Sequence, residues 1–164
     1  MTNESQLIWQ QPEVITQSQR IINSFYHWFK KDLIDTTGTD LEISERLFKA
    51  DFFVASHTNQ PEPIFNYGNN LALQVWEVNW ETLIKLPSRY TAEQIVQEKR
   101  DRILQSCKNN GFSTWEGVRI SSTGKRYLIT NGLLWNLLDE NNQFCGQAAT
   151  FNQWKLLDSV NSNQ

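Results

Sequence analysis

The segment PEPIFNYGNNLALQVWE, Pro61 to Glu77, changes character within a few residues and constrains the fold more than any other stretch of the chain. Ile64, Phe65 and Tyr67 read as a strand, and the Asn/Gly cluster after them reads as a turn. Gly68 is expected to supply a position of positive φ there, and Asn69 to cap a helix carrying Leu71, Leu73, Val75 and Trp76. The order is strand, turn, helix.

With 164 residues the chain fits one domain, and at that size roughly 70% of the extended-chain surface is buried on folding. Seven Trp and nine Phe are more than a minimal core needs, whereas the many Asn and Gln and the negative mean hydropathy argue against a membrane protein. The first thirty residues lack a basic start followed by an apolar core, and no apolar run reaches the ~18 residues of a spanning helix. A cytoplasmic location is expected. The net charge of −3 offers no basic field for phosphate backbones, which argues against nucleic acid as a direct partner. Cys107 and Cys145 are the only thiols and lie far apart, so they make neither a disulfide framework nor a zinc site. Small buried hydrophobes in a reducing compartment are the plain account of them; a redox-sensing pair is the alternative, and spacing does not decide between the two.

Pro12 stands where a helix can begin, and Val14, Ile15, Ser18, Ile22, Phe25, Phe29 and Leu33 follow at three- and four-residue intervals. Ile21, Tyr26 and Trp28 widen that apolar sector beyond one packing face, so the helix either docks a partner, a homodimer being one reading, as well as covering the sheet, or has both sides buried within the monomer. Residues 36–40 end the helix, a shorter one follows with Leu41, Leu47 and Phe48, and Phe52 to Ser56 reads as the first strand. His57 to Pro63 is expected to be a polar turn. Between Asn79 and Tyr90, Pro87 breaks the pattern into short helical turns. Thr91 and Gln94 have capping-box spacing ahead of a helix that runs to Asn110 and stops at Gly111. Lys99 and Arg100 fall on the apolar half of that helix. Either their stems cover apolar surface with the heads in water, or Arg100 turns toward an internal polar ligand or an acidic partner. From Glu116 the period becomes two, with a turn at Ser121 to Gly124, a long strand from Lys125 to Leu138, a turn at Asp139 to Asn142 and a last strand from Phe144 to Phe151. Asn131-Gly132 suits either a hairpin turn or a bulge within the long strand. The expected organisation is a polar segment 1–12, one domain 13–154 and a flexible tail 155–164.

Three stretches, SQRIINSFYHWFKKDLI, ERLFKADFFVASHTNQPEPIFNYGNNLALQVWE and GVRISSTGKRYLITNGLLWNLLDENNQFCGQAATFNQW, resemble the MEKHLA domain, a relative of the PAS sensor fold. The likeness runs from about Thr16 to Trp154. It is similar to the C-terminal domain of plant class III homeodomain-leucine zipper proteins and to stand-alone forms from cyanobacteria and green algae. The resemblance favours the bulge at Asn131-Gly132, and it implies an α+β fold: a PAS-like five-stranded antiparallel sheet with helices on one face, an N-terminal helical extension and an internal cavity.

PAS relatives hold flavin, haem, a small metabolite or nothing. The photoactive flavin relatives carry an Asn-Cys-Arg motif, and the stretch most like it, LPSRYTAE, has no Cys, so cysteinyl-flavin photochemistry is not expected. Arg89 in that stretch remains a contact for an anionic group. Gln147 resembles a flavin-contacting Gln but directly follows Gly146, an offset expected to change the face on which it points. The helix to Asn110 has no His, which argues against His-ligated haem, and His27 and His57 are given structural or exposed roles. The candidate pocket residues are Tyr67, Asn69, Trp76, Arg89, Arg100, Trp135 and Gln147, with Trp115 a further aromatic that could line a cavity; no metal ligands are expected. Glu62 and Glu77 are isolated carboxylates, and no nucleophile–base set or phosphate loop is visible. The expected function is a non-enzymatic sensor or regulatory module that binds a small molecule or a protein partner; a pure protein-interaction domain with a filled core is the alternative, and a small hydrolase or isomerase a third reading.

Overall fold

The computed structural model describes residues 4–92 and 97–157. After a short 3-10 helix come α1 (Pro12–Phe29), α2 (Asp40–Phe48), β1 (Phe53–His57), β2 (Phe65–Gly68), α3 (Asn70–Trp76), α4 (Trp80–Leu83), α5 (Gln97–Asn110), β3 (Phe112–Ile120), β4 (Arg126–Leu138), β5 (Phe144–Phe151) and β6 (Trp154–Leu156). Strand order is β2-β1-β5-β4-β3, antiparallel throughout. β6 pairs with β4 at Tyr127 to Ile129, where it resumes the position that β5 leaves, so a sixth strand extends one ladder of the expected five.

Side chains alternate across a strand, so Ala55, Gln147, Ala149 and Leu134 share one face of the sheet, and Ser56, Ala148 and Trp135 the other. The first face carries α3 and α5. The second carries α1, fastened by Gln17 Nε2 to Ser56 Oγ (3.0 Å), Trp135 Nε1 to the Ile21 carbonyl (3.2 Å) and the Leu138 amide to Ser24 Oγ (2.8 Å). Pro12 begins α1, where its missing amide hydrogen has no partner to lose. The helix ends at Phe29, short of Leu33, because Lys30 turns left-handed and its amide bonds the Tyr26 carbonyl at 2.9 Å. Ile21 is fully buried, and the Trp28 indole donates to the Asn136 carbonyl at 2.9 Å. Two of the three surplus apolar residues of the helix are thus used inside the domain, and only Tyr26 stays exposed.

A capping box between Thr39 and Glu42 starts α2. The one expected at Thr91 and Gln94 falls partly on residues outside those described; Ala92 is extended and bridges to Arg119, and the Thr91 hydroxyl donates to the Ser88 carbonyl. Asn131 has φ +57° within a continuous β4, and the register slips between Trp115 and Gly117, so Asn131-Gly132 lies in an irregular strand pair and not at a hairpin turn. At Gly132 a Cβ would lie 2.5 Å from Trp115 Nε1; its absence lets the indole cross β4.

Asn69 caps α3 by accepting from the Ala72 amide at 3.1 Å. Gly68, by contrast, is the last residue of β2, and its φ is not positive. A Cβ there would come within 2.6 Å of Leu83 Cδ2, so close packing by α4, not turn geometry, requires the glycine.

Candidate functional site

A cavity of about 60 Å³ lies between the sheet and α3, α5 and the 3-10 turn Ser88–Thr91. Its floor is small where Ala55, Ala148 and Ala149 come from β1 and β5. Its wall is aromatic: Phe53 stacks on Phe151 (centroids 4.1 Å apart), and Trp76 meets Phe53 edge-on at 4.7 Å and Phe65 at 4.9 Å. The remaining lining includes Arg100, Ser88 and Thr91 from the helical side and His57, Arg119 and Gln147 from the strands.

Arg100 is buried on the inward side of α5, its Nη2 donating to Ser88 Oγ and its Nη1 reaching the exposed carboxylate of Asp101 at 3.0 Å. Burial pulls its pKa down, with Asp101 opposing that shift. Lys99 beside it is exposed, so the two basic residues on this helix divide, one inward and one to water. Arg119, in β3, stacks on the Trp115 ring at 4.7 Å and donates to the carbonyl of its own neighbour Val118 at 3.0 Å. Burial and the nearby Arg100 bring its pKa down to about 10.

His57 is the last residue of β1 and buried, not part of a polar turn. Its Nδ1 faces the Thr58 carbonyl at 2.9 Å, which makes Nδ1 the protonated nitrogen and leaves Nε2 a buried acceptor without a partner. Burial holds its pKa down to about 4, so the ring is neutral at pH 7. The indole nitrogens of Trp76 and Trp115 are also buried and unpartnered, and both residues line the cavity.

Of the residues singled out in the sequence, Trp76, Arg100 and Gln147 meet at the cavity, with Trp115. Gln147 was expected to be turned away by its offset from Gly146, yet it pairs with His57 and Asn136 on the cavity side. The pairing from Gly146 to Gln147 is regular, and the one register slip of this strand pair lies before Gly146, between Leu137 and Leu138. Its amide donates to the Leu104 carbonyl (2.9 Å) and Asn136 Oδ1 (3.2 Å), tying α5 to the sheet. Tyr67, Asn69, Arg89 and Trp135 do not line the cavity. Tyr67 alternates to the α1 side and meets Trp80 edge-on at 6.0 Å; Trp135 lies beneath α1 on the same side. Asn69 spends its amide on backbone, and Arg89 is exposed, 3.8 Å from Glu62. His57 and Arg119 were missed. An alternating Val-Arg-Ile pattern puts Arg119 opposite its apolar neighbours, but it does not say which face is inside.

The cofactors that PAS relatives suggest do not fit these side chains. About 60 Å³ equals the liquid volume of roughly two waters, far below a flavin or haem. The thiol of Cys107 is engaged with Asn136 Oδ1 (3.6 Å) and the Gly111 carbonyl (3.8 Å), and burial pushes its pKa up to about 12. Among the described residues no cluster of three or more His, Cys, Asp and Glu could hold a metal ion, and no helix is long and apolar enough to cross a membrane.

Glu77, unassigned by its sequence context, closes the far end of this region. Its carboxylate accepts from the hydroxyls of Ser121 (2.8 Å) and Thr123 and lies 3.6 Å from Lys125, while Ser122 donates to its carbonyl at 2.7 Å. These bonds clamp the β3–β4 hairpin to the end of α3 and hold the carboxylate below its ordinary pKa.

The fold is shared with PAS structures. A PAS domain from Colwellia psychrerythraea matches with a TM-score of 0.57 at 13% identity, over 71% of this chain and 94% of that one. An RNA-binding light-oxygen-voltage receptor matches with a TM-score of 0.59 at 12% identity, over 79% of this chain and 36% of that one. In sequence the chain is 24% identical over 157 residues to the homeobox-leucine zipper protein REVOLUTA of Arabidopsis thaliana. That match covers 89% of this chain and 18% of REVOLUTA. The MEKHLA domain model matches residues 15–156, nearly the whole sheet and the helices on both its faces. The chain belongs to the MEKHLA domain family.

Proposed function

We propose that this chain is a non-enzymatic, PAS-like sensory or regulatory module that takes a small molecule into the cavity between its sheet and α3–α5. The observation that carries this reading is that three residues lining it hold buried polar atoms without partners: His57 Nε2 and the indole nitrogens of Trp76 and Trp115. Each such atom costs about 1–3 kcal/mol in a filled core, and native cores keep few of them. A ligand would satisfy them. The proposed contacts are Trp76, Arg100 and Gln147, joined by His57, Ser88, Thr91, Trp115 and Arg119, within a domain spanning 13–154 and acting in the cytoplasm. Catalysis has no support in the described lining, which contains no carboxylate and no thiol.

The modest volume favours a second reading, a protein-interaction domain whose cavity is vestigial. In that reading a second copy docks on the exposed side of α1 around Tyr26, which is 51% exposed. A native mass spectrum and an absorption spectrum of freshly purified protein separate the two. The sensor reading expects an excess mass on the folded chain, without a visible band, that is lost on denaturation. A folded chain of bare mass that dimerises on concentration, with Tyr26→Glu monomeric, would favour the second reading and count against the first.

A further inference from the structure

The cavity is lopsided in charge. Two guanidinium groups line it, and among the described residues none that lines it is an Asp or a Glu. Buried arginines are ordinarily paired, because removing an isolated cation from water is costly. The pairing here is incomplete. Among the described residues Arg100, its side chain 7% exposed, has one carboxylate at ion-pair distance, that of Asp101, which is itself 64% exposed and stands on the solvent side, while Glu62 acts on it from farther away. Arg119 has no carboxylate within ion-pair distance among the described residues; its contacts are the Trp115 ring and the Val118 carbonyl. The indoles of Trp76 and Trp115 add two buried N–H donors without acceptors. The site therefore offers donors and positive charge in excess, beside a wall made of Phe53, Leu134 and Phe151.

We infer that the ligand is a small organic anion, its carboxylate held by the guanidinium groups of Arg100 and Arg119 and its short apolar body resting on Phe53, Leu134 and Phe151. This rests on the reading of the cavity as a ligand site and names the ligand's class. A guanidinium presents parallel N–H donors that match a carboxylate, and removal from water strengthens the pair. Volume limits the size: about 60 Å³, the space of roughly two waters, keeps the ligand to an acid of two or three carbons, with the walls adjusting to the larger ones. The apolar wall selects a carboxylate over inorganic phosphate, which has no apolar part to place against it.

Calorimetric titration of the full chain with acetate, propionate, malonate, propionamide and inorganic phosphate tests the assignment. At least one of the three acids is expected to bind saturably at one site per chain, with propionamide and phosphate at least tenfold weaker than the best acid. Arg119→Met keeps an unbranched apolar stem of similar length and removes the charge, together with the guanidinium that stacks on Trp115. Because the Arg119 hydrogen bond goes only to its neighbour's carbonyl, the variant leaves no side chain stranded, and it is expected to weaken that acid at least tenfold. Undiminished binding by folded Arg119→Met overturns the inference, as does propionamide or phosphate equal to the best acid, or no saturable binding by any of the three. If Arg119→Met fails to fold, propionate against propionamide on the unmutated chain decides the matter alone. A neutral compound found in the cavity of the purified protein leaves the sensor reading standing and removes the anion; no binding of any small molecule removes both.

Discussion

Replacing Asn69 by Ala should cost this domain more than any ordinary helix-cap mutation. The side chain is fully buried and makes four hydrogen bonds to backbone. Oδ1 accepts from the amides of Ala72 (3.1 Å) and Val54 (3.2 Å), and Nδ2 donates to the carbonyls of Phe52 (2.8 Å) and Leu47 (3.3 Å). Loss of the cap alone costs about 1 kcal/mol. The Val54 amide, on a strand residue with no exposure, is then left without its Asn69 acceptor, which adds roughly 1–3 kcal/mol. The Phe52 carbonyl belongs to a half-buried residue and recovers part of its loss from water. The sum is about 2–4 kcal/mol. Urea unfolding followed by tryptophan fluorescence and circular dichroism would read it: at an m-value of roughly 2 kcal/mol per molar, the midpoint drops by about 1–2 M. Asn69→Ser, able to keep the cap but too short to reach Val54, should fall between the two. A midpoint within ~0.5 M of the unmutated protein would refute the idea that Asn69 joins β1, β2 and α3.

Gly68→Ala should lose about 1–3 kcal/mol by overpacking against Leu83, and adding Leu83→Ala should return part of that loss, a coupling that melting of the double mutant would reveal; strictly additive losses would contradict the clash. His57, held at about 4 against an ordinary 6.5, makes the fold sensitive to acid: below pH 6.5 the unfolded chain takes up a proton that the folded chain refuses. Stability should therefore fall by up to about 1.4 kcal/mol per pH unit and level off near pH 4 after a loss on the order of 3 kcal/mol, and a His57→Gln variant that retained the same pH dependence would contradict this. Blue illumination should form no cysteinyl-flavin adduct; a reversible bleach that disappears in Cys107→Ser or Cys145→Ser would overturn that expectation.

What the chain's residues reveal about this fold divides by range. The strand and helix from Phe65 to Trp76 and the hairpin at Ser121 to Gly124 are written in period, turn chemistry and capping, all of which act within a few residues, whereas the unbroken β4 was legible only through the family resemblance. The role of Gly68 was misjudged because its constraint comes from Leu83, fifteen positions on, and no local rule contains that contact. Glu77 looked isolated for the same reason: its partners Ser121, Thr123 and Lys125 arrive by way of the sheet. The surplus apolar width of α1 was real, but Ile21 and Trp28 spend it within the domain, under constraints set by Trp135 and Gly111. At the cavity, Arg100 was visible as a cation on an apolar helix half. Arg119 and His57 were not, because a strand's alternation shows that two faces exist without saying which one is roofed by helices.

The indole N–H resonances of Trp76 and Trp115 test the cavity most directly, since both residues line it and both nitrogens are buried without acceptors. Two-dimensional nitrogen–proton spectra would be recorded on protein as purified and again after unfolding, exhaustive dialysis and refolding, with Trp76→Phe and Trp115→Phe to assign the peaks. If the cavity binds a small molecule, these two resonances move on refolding and return when the dialysate is added back, while the Trp135 resonance beneath α1 stays in place. Superimposable spectra at every stage, with a bare chain mass throughout, would contradict the account.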